Sequence, residues 1–352
     1  MRILHVISSL GIGGAERLIS DMLPQMKTAG IDVSLLVYRR LYNAFEKKLE
    51  DVGIAIISLE AKNNLSPQII FSLANAMKGF DIIHVHLFPA LYQVAVANGF
   101  CRKKLVFTEH CTTNRRRQSR LFRLIERVIY SQYSRLISVS EETQESLMAW
   151  LNERSNRYSI ILNGIDLKTF CLDKEKNDFP YTVLMVSRFA EQKDQITLIN
   201  ALQWIREDVH VVLVGDGDTK HSCEELAYKL GVAERCHFMG VQSNIPYWVS
   251  KADIGVLSTH WEGLPLTIIE MMAGGLPVIA TDVDGVRQVV DGAGLMFPEG
   301  NDRALAEIIN QLITNPDYRK QIAERCYERA LLYDIRQTVK GYIEIYQSLC
   351  NN

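Results

Sequence analysis

Short apolar runs, rich in Val, Ile and Leu, recur along the chain and are separated by amphipathic stretches. In the first half, residues 2–7, 32–37, 54–57, 82–86, 105–109 and 136–140 have the length and composition of strands. Residues 15–28, 67–78 and 141–151 carry the 3.6-residue period of helices. The second half repeats the alternation. Strands are expected at 182–186, 210–214, 236–239, 254–257 and 278–280, and helices at 192–205, 224–230 and 266–273. Strands this apolar have no solvent face, so the pattern predicts an α/β fold with parallel sheets covered by helices on both sides. Residues 302–349 lack strand character and read as consecutive helices.

The two halves meet at residues 163–180, which open on the Asn163-Gly164 turn and become polar before Pro180. The expected organisation is a first domain at 1–163, a linker at 164–180, a second domain at 181–334 and a terminal helix at 335–352. In doubly wound sheets, ligands bind outside the carboxyl ends of the strands. The site is therefore expected in a cleft between two facing domains.

Composition narrows the class. Of 352 residues, 47% are hydrophobic and 23% charged, a soluble globular profile. No run approaches the roughly 18 apolar residues of a spanning helix. The first residues have too short an apolar core for a signal peptide and read as a buried strand. Seven cysteines, odd in number and without C-x-x-C spacing, argue against a disulfide framework or a zinc site and for a reducing cytoplasm. The net charge of −2 hides a division. Residues 1–165 hold 21 Lys and Arg against 14 Asp and Glu, and the remainder holds 18 against 27. A basic first half suits an anionic partner, such as the cytoplasmic face of the inner membrane or a lipid phosphate; ordinary charge drift between domains is the plain alternative.

The most informative motif is Glu262-Gly263-Leu264-Pro265-Leu266-Thr267-Ile268-Ile269-Glu270. Gly-Leu-Pro makes a turn and an apolar helix follows, so the amides of Leu266 and Thr267 are open to an anion. Glu270 lies about 6 Å along that helix, on the other side of the turn from Glu262. The two carboxylates are thus too far apart to flank one bond as a glycosidase pair does. They suit the two ends of a nucleotide-diphosphate sugar. Arg188 offers a bidentate fork and Lys193 a point charge, a fitting pair for a diphosphate. Gly13 and Gly14 open a helix after the first strand, where backbone can approach a phosphate or sugar. The dehydrogenase spacing G-x-G-x-x-G fails, because its third glycine position is Glu16. His110 ends a strand of the first half. His84 and His86 alternate on one strand with no supporting cluster evident, so a metal role is not expected. The Asp-x-Asp pairs at 216–218 and 282–284 fall in strand-to-helix loops.

Arg115, Arg116, Arg117, Arg120 and Arg123 lead a basic segment whose apolar residues (Leu121, Phe122, Leu124, Ile125, Val128, Ile129) form one helical stripe. Two readings stay open. The stripe packs on the domain core, or the helix or its arginine loop rests on an anionic bilayer. Nucleic acid is disfavoured, since no aromatics interleave with the arginines.

Taken together, Gly13-Gly14-Ala15-Glu16, Asn163-Gly164-Ile165-Asp166, the stretch from Val186 to Lys193, the E-x7-E element and the stretch from Met271 to Asp282 resemble glycosyltransferase family 4, whose members are retaining enzymes of GT-B architecture. Ser187 departs mildly from the glycine usual in that family. The resemblance covers nearly the whole chain. It implies two Rossmann-like domains facing a cleft, with the last helix crossing back to the first domain. It implies transfer of a sugar, from a UDP-sugar by preference, to a glycan or lipid-linked acceptor in cell-surface polysaccharide or glycolipid synthesis, without metal or cofactor. Glu270 would accept from the ribose hydroxyls, and Glu262 and His110 would face the transferred sugar or acceptor. Arg188 and Lys193 would hold the diphosphate, and Gly263, Leu264 and Leu266 would add backbone contacts. Asp216, Gly217 and Val241 would line the nucleotide pocket. A GT-B nucleotide-sugar epimerase and a catalytically silent nucleotide-sugar binder are the rival readings.

Overall fold

Every strand ladder among the described residues is parallel. The computed structural model divides into one unit of Met1–Gly164 with Ile335–Asn352 and a second of Ile165–Asp334. It describes all residues except Ile12, Leu65, 111–116, Gln118, Lys174, 176–178 and Asn352, and omits the side chains of Arg120 and Leu121.

The first unit runs β1 (Arg2–Ile7), α1 (Gly14–Thr28), β2 (Asp32–Val37), α2 (Ala44–Asp51), β3 (Ala55–Ser58), α3 (Gln68–Met77), β4 (Ile82–His86), α4 (Ala90–Asn98), β5 (Lys104–Glu109), α5 (Arg120–Tyr130), β6 (Arg135–Ser138), α6 (Glu141–Leu151) and β7 (Tyr158–Ile160). Its sheet has the order β3-β2-β1-β4-β5-β6-β7. The period of two along each strand sorts side chains into two cores. Leu4, Val6, Ile83, Val85, Leu105 and Phe107 point to the layer of α3 to α6. Ile3, Ile7, Ile82 and Val106 point to the opposite layer, where α1 and Leu49 of α2 pack.

The second unit continues with β8 (Tyr181–Val186), α7 (Gln195–Ala201), β9 (Val209–Val214), α8 (Lys220–Lys229), β10 (Cys236–Phe238), α9 (Ile245–Ser250), β11 (Ile254–Leu257), α10 (Leu266–Ala273), β12 (Val278–Thr281), α11 (Arg287–Val290), β13 (Leu295–Phe297), α12 (Asp302–Thr314) and α13 (Pro316–Ala330). Its sheet order is β10-β9-β8-β11-β12-β13. The segment expected as a linker contributes a 3-10 turn, Leu167–Phe170, that packs on α9 and α10 of this unit. The final helix, α14 (Ile335–Cys350), returns to the first unit and lies against α1. It buries Ile335, Val339, Tyr342, Tyr346 and Leu349 in the α1-side core. Burying each side chain of this size contributes about 1.5–3 kcal/mol.

Two differences from the sequence pattern have local causes. The helix expected at 192–205 is broken. Asp194 adopts a left-handed φ of 41° and its carboxylate caps α7 through the Thr197 amide (3.3 Å) and hydroxyl (2.6 Å). A short acidic side chain that satisfies backbone nearby tolerates this conformation. Lys193 therefore sits on a 3-10 turn outside the helix. The strands β7 and β13 lie at sheet edges and have only three residues each, too short a run to carry a periodic signal.

Candidate active site

In the second unit the sequence-predicted residues gather at the carboxyl ends of β8 to β11. The loops there are zipped by backbone: Ser187 donates to Val214 at 3.0 Å, Phe189 to Asp216 at 3.0 Å and Gly215 to Gly240 at 2.9 Å. Such closeness requires glycine. A Cβ on Gly215 would lie 2.0 Å from the Ser187 carbonyl oxygen, and one on Gly217 2.2 Å from that of Phe189, both at φ values open mainly to glycine. Asp216 is exposed and accepts from the Gly217 amide at 2.8 Å. Val241 is 58% exposed beside this loop.

The loop after β8 is also stapled to the loop after β11. The Gln192 side chain donates to Trp261 O at 2.6 Å, and Gln192 O accepts from the Thr259 hydroxyl and the His260 amide, each at 2.9 Å. This brings Lys193 onto Glu262 as an ion pair, with Thr259 donating to the same carboxylate oxygen at 3.1 Å. Lys193 and Glu262, assigned on sequence to different parts of a ligand, thus hold each other here. Arg188 is exposed and makes no side-chain bond among the described residues. Its backbone is fixed by Gln195, whose amide donates to Arg188 O and Ser187 Oγ, both at 2.9 Å. Gln195 and Thr259 escaped sequence reasoning, since a glutamine at a helix start and a threonine after a strand carry no signal of their own.

Pro265 precedes α10 and no side chain caps it, so the amides of Leu266 and Thr267 have no partner within the helix. Glu270, one turn along, is buried. Gly263 and Leu264 are half-buried on the turn. Asp282 and Asp284 both pair with Arg287, whose Nη1 reaches Asp284 at 2.9 Å.

In the first unit Gly13 is extended at φ −172° and leads α1, which has no side-chain cap. His110 follows β5 and is half-buried. Its Nε2 meets His86 Nδ1 at 3.2 Å, while its Nδ1 is buried without a hydrogen-bond partner among the described residues. Contrary to the sequence reading, His84 and His86 do have a supporting cluster: His5 of β1 lies opposite His84 in register, and His5, His84 and His86 are close enough to share an ion. The reason is the alternation described above, which turns His5, His84, His86 and Thr108 to the face that α14 covers. Burial lowers His5 to about 3 and His110 to about 4. It also holds His84 and His86 well below the usual imidazole range, with the neighbouring rings adding to the effect. All four are neutral near pH 7.

The basic segment, for which the sequence left two readings open, is partly engaged within the protein. Arg117 is bound to Glu109 at 2.8 Å and Ser146 at 3.1 Å, and Arg123 donates to Trp150 O at 2.6 Å. Both are engaged within the protein and are not presented as free lipid contacts. Arg115 and Arg116 lie outside the described residues, as does the Arg120 side chain. The stripe of α5 is divided: Phe122, Leu124, Ile125 and Val128 are exposed, between 40% and 66%, while Ile129 packs against the core of the first unit. The buried side of α5 holds Glu126, which accepts from Tyr92 Oη at 2.6 Å and Trp150 Nε1 at 2.5 Å.

An α/β sheet with an uncapped helix start and two cations in the loop after its first strand is an arrangement suited to an anionic ligand such as a diphosphate. Comparison with known proteins agrees. The profile "Glycosyltransferase Family 4" matches residues 12–169, and "Glycosyl transferases group 1" matches residues 172–329. The chain is a glycosyltransferase of GT-B architecture and belongs to family 4. It is 24% identical to the N,N'-diacetylbacillosaminyl-diphospho-undecaprenol alpha-1,3-N-acetylgalactosaminyltransferase of Campylobacter jejuni, over 88% of this chain and 89% of that one. It is 28% identical to the UDP-Gal:alpha-D-GlcNAc-diphosphoundecaprenol alpha-1,3-galactosyltransferase of Escherichia coli, over 68% and 67%. The crystal structure of Anabaena Alr3699/HepE in complex with UDP and glucose superposes with a TM-score of 0.86 at 22% identity, covering 99% of this chain and 100% of that one.

Proposed function

We propose that the chain is a retaining glycosyltransferase that moves a sugar from a UDP-sugar to a hydroxyl of a lipid-linked glycan precursor, without metal or cofactor. One observation carries this reading. Exposed Arg188, the Lys193–Glu262 pair and the uncapped start of α10 are all set by the stapled loops at one end of the second sheet. Two cations and a helix N-terminus are what a departing diphosphate needs. In this mechanism the acceptor attacks from the leaving group's face and a diphosphate oxygen takes its proton. Glu270 accepts from the ribose hydroxyls, and Gly263, Leu264 and Leu266 offer backbone. Asp216, Gly217 and Val241 border the base. Gly13 and Gly14 bind the donor, and His110 meets the transferred sugar or the acceptor. The names of the Campylobacter and Escherichia relatives support a diphospho-undecaprenol acceptor, and the HepE complex supports UDP.

The test is calorimetric titration with UDP, GDP and ADP, each with and without EDTA, followed by NMR of the product anomer. UDP binding that survives EDTA, with a retained anomer, is expected. Binding abolished by EDTA refutes the metal-free mechanism, and donor interconversion without acceptor assigns a GT-B epimerase. Nucleotide binding with no turnover on any acceptor leaves a silent binder.

A lipid-linked acceptor would place the protein at a membrane surface. No described helix is long and apolar enough to cross a bilayer. The outward apolar face of α5, with Arg127 exposed on the same helix, suits docking in an anionic interface. Flotation with anionic vesicles should recover the protein, and Leu124→Glu with Val128→Glu should abolish recovery. Equal flotation of wild type and variant removes this clause.

A further inference from the structure

Seven side chains of the first unit join into one unbranched hydrogen-bond chain that ends at His110. Tyr342 Oη meets Thr108 Oγ1 at 3.1 Å, and Thr108 Oγ1 meets His84 Nε2 at 2.8 Å. His84 Nδ1 meets Tyr346 Oη, which reaches His5 Nε2 at 3.4 Å. His5 Nδ1 meets His86 Nε2 at 3.1 Å, and His86 Nδ1 meets His110 Nε2 at 3.2 Å. Tyr342, Thr108, His84, Tyr346, His5 and His86 are all fully buried. The chain runs from α14 across β5, β4 and β1 and back to the end of β5.

A neutral imidazole has one N–H and one bare nitrogen. A hydroxyl that accepted from both neighbours would leave its own proton unmatched in the core, so the protons of this linear chain run one way and two senses remain. In one, Tyr342 donates to Thr108, Thr108 to His84, His84 to Tyr346, Tyr346 to His5, His5 to His86 and His86 to His110. Only the Nδ1–H of His110 is then left to donate outward. In the other sense the Tyr342 hydroxyl proton has no acceptor among the described residues, and the bare Nδ1 of His110 has no donor. Each sense leaves one donor unmatched: in the first it is the Nδ1–H of His110, a half-buried residue at the end of its strand where a ligand can accept it, and in the second it is the Tyr342 hydroxyl, sealed in the core, where an unmatched donor is strongly disfavoured.

We infer that Tyr342 and Tyr346 of α14, through His84, His5 and His86, are positioning residues that fix His110 as an Nδ1–H tautomer, a hydrogen-bond donor rather than a base. That His110 faces sugar rests on the transferase reading; the tautomer does not. The ligand atom it addresses is an oxygen with a free lone pair, such as a sugar hydroxyl. The same sense places a proton on Nδ1 of His5, His84 and His86, against the preference of free imidazole side chains for Nε2–H.

The test is long-range 1H–15N correlation NMR of the full chain with labelled histidine, which reads each tautomer directly. Nδ1–H at all four residues is expected. Nε2–H at His110 or His86 overturns the inference. The variant Tyr342→Phe keeps the ring in the core and removes the donor that sets the sense, so at least His84 should change to Nε2–H or a mixture. Unchanged tautomers in that variant also overturn it. On the transferase, Tyr342→Phe should lower kcat several-fold more than it raises the donor KM. If no transfer is detected in wild type, the tautomer measurement still stands, and only the transferase reading falls.

Discussion

Replacing Lys193 by methionine tests whether its pairing with Glu262 is structural, functional or both. The pair is partly buried, with side-chain exposures of 20% and 8%. Removing one partner from a fully buried pair costs about 3–5 kcal/mol, because the other charge stays desolvated and unmatched. Glu262 keeps the Thr259 hydroxyl at 3.1 Å, and water reaches the lysine's place. The expected loss is therefore smaller, about 2 kcal/mol. For a unit of this size that lowers the melting temperature by about 4–8 °C. Glu262→Gln alone should cost less, since the amide still accepts from Thr259. The double variant, Lys193→Met with Glu262→Gln, has no unmatched charge and should recover to within about 1 kcal/mol of wild type. Turnover should behave differently. If Lys193 also stabilises the departing diphosphate, the double variant stays at least about a hundredfold slower than wild type, corresponding to about 2.7 kcal/mol of lost transition-state stabilisation. The assays are thermal and urea unfolding beside single-turnover transfer at saturating donor. Strictly additive stability losses would refute the coupling, and full turnover in the refolded double variant would refute the role of the cation.

Two further predictions concern stability. The buried histidines ionise with lowered pKa values in the folded chain but near 6.5 when unfolded, so the unfolded state binds more protons as pH falls below that value; stability is fully present above pH 6.5 and declines below it, by about 1 kcal/mol per buried histidine at pH 5.5. Urea melts from pH 7.5 to 5.5, followed by a probe in the first unit, should show this, and a flat profile would contradict the neutral cluster. Gly217→Ala should cost about 2 kcal/mol or more, whereas Gly231→Ala, at a left-handed φ of 71° with nothing within 4 Å of its Cβ, should cost about 1 kcal/mol; equal losses would mean that the approach to Phe189 is not as tight as described.

How much of this was legible in the sequence depends on which interactions are local. Buried parallel strands announce themselves, because Val, Ile and Leu crowd both faces, and β4 and β11 stand where the pattern predicts them. Helix α10 and its uncapped start follow from Gly-Leu-Pro and the apolar run. The stripe on α5 was equally plain, but an amphipathic pattern states that a stripe exists and not which way it faces. What decides is Glu126, held inward by Tyr92 and Trp150 from two other helices. The histidine chain was illegible for a similar reason. Strand alternation aligns His84 with His86, yet only the register of β1 on β4 brings His5 alongside, and only α14 supplies Tyr342 and Tyr346 from more than 230 residues away in sequence. The break at Asp194 also needed more than local propensity, since the residues around it read as continuous helix.

The first unit is assembled from two pieces of chain, with the whole second unit encoded between them. On the ribosome, residues 165–334 can complete their sheet and core as soon as they emerge. The first sheet must wait, its row of buried imidazoles uncovered on one face, until α14 has been made. Any transcript or proteolytic event that removes α14 therefore yields a protein whose second unit is intact but whose first unit has an open, polar-lined wound in its core. Such a product should be recognised by chaperones and proteases rather than accumulate as a half-active enzyme. Limited proteolysis of the released chain truncated after residue 334 should find the second unit protected and the first unit cleaved.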